Sequence, residues 1–222
     1  MGPLSFASQE FCSCESSVLI RVKSGTFEPM PSLVNKARGV LFVLSAPAGT
    51  GKTTLMRKLM DEFSEVVANI SYTTRQPRAG EVDGKDYYFI SREQFEEKIR
   101  LGEFLEYVKL YDTYYGSSRL WVEKELALGK HVFLVIDTQG ARKVRASLTV
   151  TSIFLRPPSL EVLRERLLKR QAESREKIEE RLVWAVEELR AAGEYEYQVV
   201  NEDLETAYQV LRSILIATCH KT

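Results

Sequence analysis

Hydrophobic positions fall into two kinds of run along the chain. Val40-Leu41-Phe42-Val43-Leu44 and His131-Val132-Phe133-Leu134-Val135-Ile136 are apolar almost throughout, the pattern of strands covered on both faces. Ser152-Ile153-Phe154-Leu155 is a third such run, halted by Pro157-Pro158, and Tyr197–Asn201 reads as the last strand. Between them, apolar residues recur at helical spacing. Leu55, Met56, Leu59, Met60 and Phe63 predict a helix over 53–63, and Leu204, Ala207, Tyr208, Leu211 and Leu215 predict the final one. Alternating strands and helices imply an α/β fold around a central parallel sheet.

The middle of the chain is patterned differently. Val66–Ile70 reads as a short strand, Val82-Asp83-Gly84-Lys85 as a turn and Tyr87–Ile90 as the next strand. Glu93–Leu101 has helical spacing and Gly102 closes it. Phe104–Val108 alternates as a strand does, as does the region around Tyr111, and Tyr114–Ser118 reads as a turn into a helix over 118–128. The segment 71–118 is thus a small, partly β insertion. Beyond Asp137, Thr138-Gln139-Gly140 reads as a turn. Ser159 caps a helix that Arg170 closes, Gln171–Glu176 is a polar break, and a second helix runs to about Ala192.

Residues 1–37 differ from the rest. They hold seven serines and three of the seven prolines, without sustained periodicity. They read as a poorly ordered extension with a short strand around Val18–Val22. At 222 residues, with 44% apolar and 28% charged side chains, the remainder forms one ample domain. Basic and acidic residues balance at 31 each, so nothing draws the whole chain to nucleic acid or an acidic membrane. No apolar run approaches the ~18 residues of a membrane helix. Cys12, Cys14 and Cys219 are too few and too scattered for a disulfide framework or a zinc site, and point to a reducing, cytoplasmic setting. Monomer and homo-oligomer are both compatible with the pattern.

The candidate chemistry begins directly after the first strand. Ala46-Pro47-Ala48-Gly49-Thr50-Gly51-Lys52-Thr53 lies between strand and helix, the setting a phosphate-binding loop requires. Gly49 and Gly51 let backbone N–H groups converge, the helix adds its positive N-terminal end, and Lys52 adds a full charge. The hydroxyl of Thr53 is placed to ligate magnesium. Arg75 and Arg78 bracket Pro77, which either stiffens a grip on one phosphate or marks a solvated surface loop. Tyr72, Tyr87, Tyr88, Tyr107, Tyr111, Tyr114 and Tyr115 either line a pocket for a base and a phosphate or fill a thin sheet. Asp137 stands at a strand's carboxyl end, as a ligand-facing acid or as a turn former. The two charged helices around the polar break are either a mobile lid or an exposed, ion-paired hairpin.

Taken together, Ser45–Thr53, Thr73-Thr74-Arg75-Gln76-Pro77-Arg78-Ala79-Gly80-Glu81, Phe104-Leu105-Glu106, Tyr114–Ser117, Ile136–Gly140, Pro157-Pro158-Ser159 and Val200-Asn201 resemble the guanylate kinases. Order and spacing agree from about Arg38 to the C-terminus. The resemblance implies a P-loop three-layer fold with a central parallel sheet, a small mixed α/β GMP-binding insertion and a helical lid. It divides the domain 38–222 into a core (38–70, 119–155 and 184–222), a GMP-binding region (71–118) and a lid (156–183). It implies magnesium-dependent transfer of a phosphoryl group from ATP to GMP, with dGMP also accepted, as a step of purine nucleotide metabolism.

In residues, the resemblance implies that ATP meets Ala46, Pro47, Ala48, Gly49, Thr50, Gly51, Lys52, Thr53, Thr54 and Asn201, the last near the adenine. Arg75, Arg78, Tyr87 and Tyr115 would hold the GMP phosphate, while Ser71, Glu106, Ser117 and Asp137 would recognise or frame the guanine. Lys52 with Arg166, Arg170 and Arg181 of the lid would serve catalysis, and Thr53 the metal. Guanine's adjacent ring N–H and exocyclic amine suit a carboxylate such as Glu106, which adenine would leave desolvated and unpaired. One position departs from the family pattern: Val135 stands where an acid is usual. The alternatives are a binding module of this fold without catalysis and a kinase of the same fold with another acceptor; the intact Gly51-Lys52-Thr53 speaks against the former.

Overall fold

Phe42 and Leu44 face one side of their strand, Leu41 and Val43 the other, and all four are buried. This double burial fixes the architecture, because helices must cover both faces. The computed structural model describes residues 20–23, 26–29, 38–110, 112–169 and 175–221. The chain divides into two units, Met1–Ser32 and Leu33–Thr222. In the first, β1 (Ile20–Lys23) pairs antiparallel with β2 (Thr26–Pro29). The strand expected around Val18–Val22 overlaps β1, while Val18, Leu19, Cys12 and Cys14 lie outside the described residues.

The second unit is built on a five-stranded parallel sheet in the order β11-β10-β3-β9-β4. Its strands are β3 (Leu41–Ser45), β4 (Val66–Ala68), β9 (His131–Val135), β10 (Thr151–Arg156) and β11 (Tyr197–Val200). On one face, Phe42 and Leu44 meet α1 (Lys52–Glu62) and α7 (Leu204–Cys219). On the other, Leu41 and Val43 meet α3 (Arg119–Ala127) and α4 (Thr138–Ser147). The central α/β fold is therefore as expected. Because all five strands run in one direction, residues 46, 69, 136, 157 and 201 leave the sheet at one edge, where parallel sheets bind ligands.

A second sheet, in the order β6-β5-β8-β7, comprises β5 (Tyr72–Thr73), β6 (Tyr88–Phe89), β7 (Phe104–Leu110) and β8 (Thr113–Ser118). Here the pattern misled at one point: Tyr114–Ser118 belongs to a strand, not a turn. Pairing with both β5 and β7 outweighs the turn tendency of Gly116-Ser117-Ser118. Gly116 is there for space, since a Cβ would lie 2.9 Å from the ring of Phe95. Phe95, on α2 (Arg92–Arg100), stacks on Phe104 at 4.3 Å and on Tyr114 at 5.0 Å. Tyr72 stacks on Tyr88 at 4.8 Å. These tyrosines fill the thin sheet; Tyr87 and Tyr115 do not, and Tyr111 lies outside the described residues.

A second correction concerns Thr138-Gln139-Gly140, which is the first turn of α4 and not a loop. Asp137 Oδ1 accepts from the N–H of Gly140 at 2.7 Å and caps that helix. Finally, α5 (Leu160–Lys169) and α6 (Arg175–Arg190) share a small core of Leu163, Leu167, Ile178, Leu182 and Ala185. Arg164 and Glu179 pair across them at 2.8 Å. A 3₁₀ turn at Ala191–Glu194 leads on to β11.

The parallel stack of Phe42 on Phe133, 4.6 Å between ring centres, joins β3 to β9 in the buried core. Phe133→Ala should cost about 3–5 kcal/mol of stability in urea unfolding. A loss under about 1 kcal/mol would show that the central sheet does not depend on this stack.

Candidate active site

The loop after β3 turns on two glycines with positive φ, +90° at Gly49 and +101° at Gly51. At Gly51 a side chain is excluded twice over: the backbone is left-handed, and a Cβ would stand 2.6 Å from the amide nitrogen of Asn201. That amide donates to the carbonyl of Thr50 at 2.7 Å, and the Thr50 hydroxyl donates to the carbonyl of Pro47 at 2.7 Å. The loop is thus held from inside and from the end of β11. Lys52 opens α1 and folds its ammonium onto the carbonyls of Ala46 and of Pro47, the latter at 3.2 Å. Thr53 and Thr54 are exposed in the first turn of α1.

Two cavities flank this loop and share no residue. One, of about 400 Å³, is lined by Gly49, Thr50, Gly51, Arg166, Lys169 and Asn201. The Oδ1 atom of Asn201 is buried there without a hydrogen-bond partner. The other, of about 340 Å³, runs from Ala46, Ala48 and Lys52 to Ser71, Arg75, Arg78, Tyr87, Glu106 and Tyr115 of the second sheet. It is closed by Val135 at the end of β9, by Ile136 and Asp137 beyond it, and by Arg181, Trp184 and Glu188 of α6. It adjoins a further cavity of about 470 Å³, lined in part by Gln139, Arg142 and Glu187.

Local structure explains how the side chains reach the middle cavity. Thr73 and Thr74 lock the chain before Arg75 to β8: Thr73 Oγ1 donates to the Tyr114 carbonyl at 3.0 Å, and Thr74 Oγ1 accepts from the Tyr114 N–H at 3.0 Å. Arg75 then makes a two-pronged bond to Glu81, both contacts 2.9 Å, and Glu81 also accepts from the Arg78 N–H at 2.7 Å. The guanidinium of Arg75 lies over the ring of Tyr87, 5.3 Å from its centre. The arginine stretch is therefore a braced structure, not a loose loop. Hydrogen bonding to Arg75 holds the Glu81 carboxyl below its ordinary range.

Glu106 sits at a bulge. The register of β7 against β8 slips by one residue between Phe104 and Glu106 and sets Glu106 opposite Ser117. Ser117 Oγ donates to Glu106 Oε1 at 2.7 Å, and only 5% of Glu106 is exposed. Burial, together with the nearby charge of Asp137, pushes its carboxyl up to about 7 despite the serine bond. The backbone at Gly140 approaches closely, since a Cβ there would lie 2.7 Å from Glu106 Oε2. Burial likewise raises Asp137, which thus both caps α4 and faces the cavity. Glu188 is pushed up to about 7 by burial, which outweighs the facing Lys52.

A phosphate loop, two arginines on a braced stretch and a buried carboxylate lining one cleft fit the guanylate kinase family model, which matches residues 38–218. The chain belongs to the guanylate kinase family. It is 61% identical to a guanylate kinase of Protochlamydia amoebophila (strain UWE25), over 83% of this chain and 93% of that one. It is 48% identical to one of Chlamydia pneumoniae, over 82% of this chain and 89% of that one. Among solved structures, the guanylate kinase of Anaplasma phagocytophilum superposes with a TM-score of 0.70 at 37% identity, covering 84% of this chain and 89% of that one. The chain is accordingly a nucleotide-binding kinase.

Of the residues that the guanylate kinase resemblance singles out, the middle cavity gathers Lys52, Ser71, Arg75, Arg78, Tyr87, Glu106, Tyr115, Asp137 and Arg181. Ser117 stands behind Glu106, and Arg166 faces the cavity on the other side of the loop, donating to the Glu202 carbonyl at 3.3 Å. Arg170 lies outside the described residues. Four contributors went unread in the sequence: Asn69, Glu81, Gly140 and Glu188. Glu81 and Gly140 each close a stretch that carries the family resemblance, the arginine stretch and Ile136–Gly140; Asn69 and Glu188 carried no signal. Among the described residues, no helix is long and apolar enough to cross a membrane.

An acid whose folded pKa exceeds its unfolded value binds a proton more tightly when folded. Its contribution is present below the unfolded value, 4.5 for a glutamate, and is lost as pH rises through about 7. The nucleotide-free protein should therefore lose stability between about pH 5 and pH 7.5. Glu106→Gln should flatten part of that slope in urea midpoints taken across the range. An unchanged slope would mean that Glu106 is not held protonated by burial.

Proposed function

We propose that this chain transfers the γ-phosphoryl group of ATP to GMP, and also to dGMP, giving ADP and the nucleoside diphosphate. The observation that carries the reading is the middle cavity, which Lys52, Arg75 and the buried Glu106 line together. We assign the region 71–118 to GMP, the loop and Asn201 to ATP, and the helices over 156–183 to a lid.

Chemistry of this kind needs no protein nucleophile. The acceptor is already a phosphate oxygen, so the protein aligns two phosphates and neutralises charge that spreads over the transferred group. In this reading Arg75, Arg78, Tyr87 and Tyr115 receive the GMP phosphate. Glu106, ionised, accepts from the ring N–H and the exocyclic amine of guanine, with Ser71, Ser117 and Asp137 framing the base. The unpartnered Oδ1 of Asn201 suits an amine donor such as that of adenine. Lys52 leaves the carbonyls of Ala46 and Pro47 for the outer phosphates of ATP. Arg166, Arg170 and Arg181 come across with the lid, which excludes water as a competing acceptor.

Magnesium fits the donor set. The exposed hydroxyl of Thr53 is a hard oxygen ligand beside the phosphate loop. Among the described residues no group of three or more His, Cys, Asp or Glu side chains could cage an ion alone. Phosphate oxygens and water would therefore complete the shell, and the bound ion would neutralise charge on the phosphates. Val135 adds an apolar side chain to this cavity where an acid is usual in the family. Cys219 is buried against the ring of His131, 3.5 Å away, and is a reduced thiol, in keeping with a cytoplasmic setting.

A coupled assay of ADP release with ATP and magnesium should show turnover with GMP and dGMP and little with AMP, CMP or UMP. No ADP release with GMP would sink the reading. Lys52→Ala should lower kcat by about 10²-fold or more while leaving GMP affinity within a few-fold, measured by calorimetry. A variant retaining a third of wild-type kcat would remove Lys52 from the chemistry.

A further inference from the structure

Asn69 follows β4 directly, where the chain passes from the core sheet to the second sheet. Its backbone belongs to the core, for its N–H donates to the Phe133 carbonyl of β9 at 2.9 Å. Its side chain belongs to the other sheet: Nδ2 donates to Ser117 Oγ at 3.1 Å and to Ser71 Oγ at 3.3 Å. Asn69 does not line the middle cavity, whereas Ser71 and Glu106 do.

Donor counting fixes the direction of this chain of bonds. An ionised carboxylate only accepts, and a hydroxyl has a single proton. In the ionised form that the acceptor reading requires, Glu106 Oε1 takes that proton from Ser117, 2.7 Å away. The contact of Ser117 with Asn69 must therefore be made with the serine oxygen as acceptor, which requires the amide NH₂ on that side. Without such a donor, the Ser117 hydroxyl would be free to turn away from the carboxylate.

We propose that Asn69 is a positioning residue for acceptor specificity: by donating to Ser117 and Ser71 it keeps the Ser117 hydroxyl directed at Glu106, which favours the ionised Glu106 that meets a 6-oxopurine bearing an adjacent exocyclic amine. The inference rests on the acceptor reading given above, and deepens it. Asn69 acts through Ser117 and does not touch the nucleotide. The Ser117 bond favours the ionised form of Glu106 against burial and against Asp137, the N-cap of α4, and Lys143 of α4 acts in the same direction as that bond. Asp137 and Lys143 are left in place when residue 69 is changed.

The test compares wild type, Asn69→Ala and Asn69→Asp with GMP, IMP and ATP as varied substrates. Asp is nearly isosteric with Asn but offers no donor, and places a like charge near Glu106. The KM for GMP should rise about 10-fold in Asn69→Ala and at least as much in Asn69→Asp, with the KM for ATP within two-fold of wild type. The preference for GMP over IMP, which lacks the exocyclic amine, should shrink in both. The acid limb of kcat/KM for GMP should move to higher pH, because Glu106 then ionises later. An Asn69→Asp variant with wild-type KM for GMP and an unmoved acid limb would overturn the proposal. So would a parallel loss toward ATP and GMP, which would mark a general structural role. A wild-type protein inert toward GMP would instead overturn the acceptor reading itself.

Discussion

The backbone conformation of Gly49-Thr50-Gly51 is the constraint on which the rest of the second unit turns. Three separate parts of the chain are fitted against these residues. Asn201, leaving β11, binds the carbonyl of Thr50 and occupies the space a side chain at Gly51 would need. Leu163 and Leu167 of α5 lie against Gly49, where a Cβ would come within 3.3 and 2.9 Å of them. Pro47 and Thr50 close the loop on itself. A left-handed backbone at two nearby positions is thus not a local accident of a turn. It lets the last strand, the helical hairpin and the start of α1 converge on one point.

The second theme is charge held out of water. The middle cavity brings together Lys52, Arg75, Arg78 and Arg181 with Glu106, Asp137 and Glu188. Its cations and acids are braced in different ways. Arg75 is fixed by a paired carboxylate, Glu81, which hydrogen bonding keeps ionised. Glu106 and Glu188 are instead raised by burial. A cleft built this way carries groups whose solvation is incomplete until something polar enters it. On the proposed reading, the phosphates meet cations that the protein already holds in place, and the guanine gives the buried Glu106 donors in place of the water that folding removed.

Much of this was legible in the residues, for identifiable reasons. The core strands were clear because a strand covered on both faces is apolar throughout, and the phosphate loop was clear because its glycines and lysine are adjacent in sequence. Tyr114–Ser118 was misread because strand pairing on both sides overrode residues that favour turns. Thr138–Gly140 was misread because an Asp followed by a Gly three residues on serves a helix cap as well as a loop. Asp137 shows why weighing two roles can be the wrong exercise, since it caps α4 and faces the cavity at once. Glu188 and Asn69 left no trace in the pattern. Their importance arises largely from residues distant in sequence, Ser117 for Asn69 and Lys52 and Asp137 for Glu188, and a lone Glu in a charged helix or a lone Asn after a short strand carries no period or motif.

The helical hairpin finally shows how the two cavities flanking the loop can be linked. Arg166 and Lys169 of α5 line one, while Arg181, Trp184 and Glu188 of α6 line the other. The two helices are joined by a common core of Leu163, Leu167, Ile178, Leu182 and Ala185, and by the Arg164–Glu179 pair. Side chains packed in one small core move together, because separating them would expose apolar surface at about 25 cal/mol per Å². A shift of α5 over Gly49 therefore carries α6 with it across the middle cavity. On the proposed reading this makes the lid one body with an arm in each half of the site. Its closing over the donor phosphates and over the acceptor is then a single event, set by the same leucines that rest on the loop.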